Sequence, residues 1–93
     1  MPPPPAPLTI TTLSLPNGSG GVAYVPTSIV ATGGTPPYSF SVALGTLPSG
    51  LILSSAGVVS GTPTGAPGVS AFTVQVTDSA LATDTQALSI TIT

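Results

Sequence analysis

The sequence predicts an all-β sandwich of about seven short antiparallel strands. Three observations carry that expectation. Large apolar residues alternate with small polar ones at a period of two in several stretches, the pattern of strands with one buried face. Glycine and proline clusters fall between those stretches. No segment repeats its apolar residues at helical spacing. With 93 residues the chain is long enough for one domain with one core.

Met1 reads as an added start residue, and the prolines through Pro7 as a semi-rigid polyproline linker (residues 1–7) ahead of a domain spanning 8–93. Leu8 to Leu13 alternates and reads as the first strand. Leu15 to Gly21 is a loop, in which Asn17-Gly18 is a turn former; with Ser19 it also matches the N-glycosylation pattern, though turn chemistry accounts for it fully. Val22 to Ala31 is the second strand, with Ile29 and Ala31 inward and a bulge or edge where Pro26 interrupts it.

The stretch Gly33–Thr64 supplies the next three strands. Pro36-Pro37 ends what precedes it, and Tyr38, Phe40 and Val42 then share one face. Leu47-Pro48-Ser49-Gly50 has the signature of a type I turn. Leu51 and Leu53 share a parity, Gly57 closes a short hairpin, and Val58-Val59 runs to a stop at Gly61-Thr62-Pro63. Tyr38, Phe40, Leu51 and Leu53 are therefore expected in the core. Val69 to Thr77 is the clearest strand, with Phe72, Val74 and Val76 on one side; Asp78-Ser79 turns it. Thr85 to Thr93 closes the chain with Leu88, Ile90 and Ile92 inward.

Composition excludes several function classes. Lys, Arg and His are absent, and Asp78 and Asp84 are the only charged side chains. Without cations there is no phosphate neutralisation, so nucleic-acid binding is not expected, nor attraction to anionic lipid. The same lack forbids a Lys–Asn isopeptide crosslink. There is no cysteine for a disulfide or a thiolate metal site. No apolar run approaches the roughly 20 residues of a membrane-spanning helix, so membrane insertion is not expected, and the N-terminus has no signal-peptide pattern.

Catalysis needs a nucleophile with a base, a carboxylate pair in a cleft, or a metal. The serines and threonines lack a proton acceptor, and the two aspartates read as turn residues capping backbone amides. No catalytic, cofactor-binding or metal-binding residue is assigned, and no cofactor is expected. Calcium commonly takes several carboxylates, and Asp78 lacks acidic companions. A sugar platform needs exposed rings; Phe40, Phe72 and Tyr38 have core parity, which leaves Tyr24 as the one ring expected at the surface.

With these residues set out, the chain resembles the He_PIG family of immunoglobulin-like repeats of large bacterial surface proteins. The resemblance rests on Tyr24, ATGGTPPYSFSV (Ala31–Val42), LPSGL (Leu47–Leu51), GVVSGTPT (Gly57–Thr64) and FTVQVTDS (Phe72–Ser79), which follow in order across nearly the whole domain. It implies an Ig-like Greek-key sandwich, related to cadherin-like and bacterial Ig-like domains, and a life in tandem on a cell surface. It implies no enzyme. Pro26 and the near-absence of charge depart from the pattern.

The expected role is a non-enzymatic spacer repeat of an extracellular adhesin, stalk or fibre. Its partners would be neighbouring copies stacked end to end, since alternating strands place the termini at opposite poles. Self-association is a related expectation, because low net charge does little to oppose it. The alternative is a module binding a glycan or protein receptor, with weak calcium dependence.

Overall fold

The computed structural model describes residues 7–93; Met1 and the linker prolines Pro2–Pro5 lie outside the described residues. Among the described residues there are eight strands and no helix, hence none long and apolar enough to cross a membrane. They are β1 (Thr9–Ile10), β2 (Thr27–Ser28), β3 (Ala31–Thr32), β4 (Ser39–Gly45), β5 (Leu51–Leu53), β6 (Val58–Gly61), β7 (Gly68–Thr77) and β8 (Thr83–Ile92).

Two layers result. One holds the three-stranded sheet β4-β7-β8, and the other holds β2-β6-β5 with the β1-β3 ladder beside it. The second expected strand is one run with two edges. Its first half faces β6, through Thr27↔Val59 and Ser28↔Val58 and the Ile29 N–H donating to the Gly57 carbonyl at 2.7 Å. Its second half faces β1, through Thr9↔Thr32 and Ile10↔Ala31. That arrangement, four strand segments against three, is the immunoglobulin-like sandwich.

The core joins both layers: Leu8, Ile10, Tyr24, Ile29, Phe40, Leu51, Val59, Phe72, Val74, Val76, Leu88, Ile90 and Ile92 are buried together. Strands β7 and β8 alternate as their sequences require, with Phe72, Val74 and Val76 inward opposite Leu88, Gln86 and Asp84. Phe40, Leu51 and Leu53 lie in or against the core as expected, and Tyr38 packs on its margin.

Four local expectations are corrected. The first strand does not extend to Leu13. Its regular pairing ends early because the Thr12 hydroxyl takes the Val30 N–H at 2.8 Å, and Leu13 beyond it is 75% exposed. The turn at Pro48 is shifted by one residue. Leu51 N–H donates to the Pro48 carbonyl at 3.0 Å and Gly50 sits third in the turn with φ +90°, which is the type II arrangement rather than type I.

Tyr24 is buried, not exposed. Tyr24 and Ile29 both point inward although five positions separate them, which the alternation forbids unless an extra residue is inserted. Pro26 marks that insertion: Tyr24 N–H bonds the Gly61 carbonyl at 2.8 Å, one residue out of register with Thr27↔Val59. A bulge also falls at Ala43 in β4, turning Leu44 to the outside, where it is 68% exposed.

Candidate functional site

The chain's two ends lie at opposite poles. Leu8 packs beside Gly34 and Asp78, next to the turn joining β7 to β8. Thr93 is bonded to Gly18 and Gly20, next to the start of β7 where Gly68 faces Ile92. The segment between these contacts runs alongside β8. Its Ile10 N–H meets an Asp84 carboxylate oxygen at 2.9 Å, and its Gly18 pairs in parallel with Ile92.

At the first pole the two aspartates serve the backbone, as their sequence context suggested. The Asp78 carboxylate, 5% exposed, accepts N–H groups from Thr35 at 2.9 Å, Ala80 at 3.0 Å and Ala82 at 2.8 Å. The Thr35 N–H holds its pKa below the usual carboxylate range; burial opposes this, and the Ala82 and Ala80 N–H groups add to the lowering. Ser79 Oγ donates to the Thr35 carbonyl at 3.0 Å and ties the Gly33–Pro37 loop to the same turn. Asp84 is spent on β1. Among the described residues no three metal-ligating side chains cluster, and neither carboxylate is free to assemble a cation site with the other.

The turn that Asp78 organises presents Leu81 to solvent. That side chain is 81% exposed, the most exposed of the large apolar residues, and its backbone has φ +69°. Outside glycine, asparagine and aspartate this left-handed conformation is uncommon. The sequence reading treated the segment as a plain turn. The available signal was that Ser79–Ala82 contains no glycine or asparagine, so a residue with a larger side chain had to take the positive φ.

At the second pole a groove of about 290 Å³ lies between the Pro48–Ser49 turn, the Pro63–Pro67 loop and the ends of β7 and β8. Prolines, Ala66, Val69 and Ile92 give it a mostly apolar wall. A further groove of about 340 Å³ runs between Leu13–Asn17 and β8. No aromatic ring lines either one. Tyr24 is 4% exposed, with its hydroxyl donating to the Pro16 carbonyl at 2.6 Å, and burial pushes its phenol pKa up. The ring held in reserve for a sugar platform is thus a core residue that anchors the segment running to Gly18. Asn17 is exposed, and the Gly18 N–H after it is bonded to the Thr91 carbonyl at 2.9 Å, the turn role read from sequence.

Comparison with known proteins agrees with this geometry. Residues 4–93 match the model of the family described as "Putative Ig domain". No curated protein sequence matches the chain. Two crystal structures from Bacteroides fragilis contain a similar fold. One is described as a "putative alpha-galactosidase", with 26% identity and a TM-score of 0.74 over 92% of this chain and 17% of that one. The other, a "putative alpha-galactosidase/melibiase", gives 25% identity and a TM-score of 0.75, again over 92% and 17%. The chain therefore corresponds to a small part, 17%, of each of those proteins.

Proposed function

The chain belongs to the He_PIG family of Ig domains, and we propose that it is a non-enzymatic spacer module of a larger extracellular bacterial protein, joined to its neighbours pole to pole. The observation that carries this reading is the placement of Leu8 and Thr93 at opposite ends of an elongated domain whose principal extents are 54 × 17 × 17 Å. A chain entering at one pole and leaving at the other separates whatever it connects. The side-chain chemistry agrees, because both carboxylates are engaged by backbone N–H groups and the hydroxyls have no base beside them. Copies of the module in an adhesin, stalk or fibre would form a rod, and the proline linker would limit bending between them. Small-angle scattering on a chain of two fused copies tests this: an elongated particle supports it, and a collapsed, freely jointed pair counts against it.

A second reading comes from the structural neighbours, which are described as glycosidases rather than adhesins. On that reading the domain is an accessory part beside a carbohydrate-processing catalytic domain. The coding sequence flanking this region separates the two, since further Ig-like copies favour the rod and a catalytic domain favours the accessory place.

A further inference from the structure

The two poles differ in shape. One carries a protruding leucine and the other a proline-walled groove. We infer that Leu81 of one copy seats in the groove between Pro48, Pro63, Pro67 and Val69 of the preceding copy, making a head-to-tail contact between copies of this chain. The inference rests on the pole-to-pole reading and gives it a chemical interface.

Folding alone asks for glycine or asparagine at Leu81, because the turn holds that backbone at φ +69°. The Asp78 carboxylate fixes the residues on both sides, Ala80 and Ala82, and Leu81 N–H donates to the Asp78 carbonyl at 3.1 Å. The leucine is therefore held rigidly outward rather than left on a loose loop. The groove is apolar in the same degree, and Val69 at its rim is 69% exposed. An apolar knob and an apolar hole on opposite ends make a heterologous contact, which propagates instead of closing into a dimer.

Chain direction selects the occupant. The knob shares its pole with the N-terminal entry at Leu8, and the groove shares its pole with Thr93. In a tandem chain the groove of each copy thus faces the knob of the next. Six residues precede Pro7, and fully extended they span about 20 Å, enough to let the poles meet without forcing them together. No positive side chain exists on either surface, and the nearby carboxylate of Asp78 is 5% exposed, so no like-charge repulsion opposes the contact.

The test uses two fused copies, with Leu81→Asn placed in either the first or the second. Asparagine accepts the positive φ, so each domain should fold at least as stably as before. The contact should raise the melting midpoint of the tandem over the single chain by roughly 5 °C. That increment should vanish when Leu81→Asn is in the second copy, whose knob faces the groove, and survive when it is in the first, whose knob faces nothing. If the tandem is elongated in scattering but the two placements behave alike, the knob contact is wrong and the spacer reading stands. A collapsed tandem overturns both.

Discussion

Replacing Tyr24 by phenylalanine tests the inserted residue at Pro26 and the anchoring of the Pro16 segment together. The ring is 4% exposed and its hydroxyl donates at 2.6 Å to a carbonyl of an exposed residue. Tyr24→Phe keeps the ring and removes one hydrogen bond, a loss of about 0.5–1.5 kcal/mol. Water can reach the abandoned Pro16 carbonyl, so the cost should lie near 1 kcal/mol without a penalty for a buried orphan. In a domain of this size that lowers the melting midpoint by roughly 4–8 °C. Tyr24→Ala also empties the ring's space in the core and should cost about 3–5 kcal/mol. Urea unfolding reads both as shifts in midpoint at constant slope. Spectrophotometric titration should show one phenol ionising above the ordinary tyrosine range in the parent chain and not in Tyr24→Phe. An alanine variant that loses less than about 1 kcal/mol would refute the reasoning, because it would mean that the ring lies on the surface, as simple alternation along Val22–Ala31 suggests.

Gly57→Ala places a methyl 2.8 Å from a Phe40 ring carbon and 3.1 Å from the Ile29 carbonyl oxygen, at φ +88°; it should cost about 2 kcal/mol in urea unfolding. Stability should be flat from about pH 5 to pH 9 in thermal melts, since no histidine, lysine or cysteine titrates between the aspartates and the tyrosines. The Asp78 pKa is lowered on folding, so its stabilisation is present above the unfolded value of 3.8 and is lost as pH falls through the folded value. Asp78→Asn should flatten that acid arm. The Tyr24 pKa is raised on folding, so its contribution is present below the unfolded value of 10.0 and lost as pH rises through the folded value. Millimolar calcium, compared with a chelator, should leave the melting midpoint unchanged; a rise would show that the Asp78 corner recruits oxygen ligands beyond its own backbone.

Much of the sandwich was legible because strands β7 and β8 obey a strict alternation over ten residues each, and because Gly57 and Pro48 punctuate it. The errors cluster where a local rule is broken. An inserted residue reverses every later side chain, so Tyr24 looked outward until Pro26 was seen to supply the extra position. Thr12 replaces a backbone partner with a hydroxyl, which no alternation pattern reveals. The modest role of Asp78 was readable, since a carboxylate beside a turn commonly takes N–H groups. Leu81 was not. Its exposure and backbone angle depend on how the aspartate closes the turn, and that closure exists only once β7 and β8 are paired.

The path of the N-terminal segment beside β8 has a mechanical consequence. Opposed forces applied at Leu8 and Thr93 act along the strand axes, so they slide the first segment past the last strand instead of peeling it away. The bonds from Gly18 to Thr91 and Thr93, and from Gly20 to Thr93, lie across that sliding plane and must yield together. Pro16 has no N–H to extend the set. Resistance to tension therefore rests on a short patch near Gly18, and the force a rod of such modules withstands would be set by how fast that patch ruptures rather than by the equilibrium stability of the core.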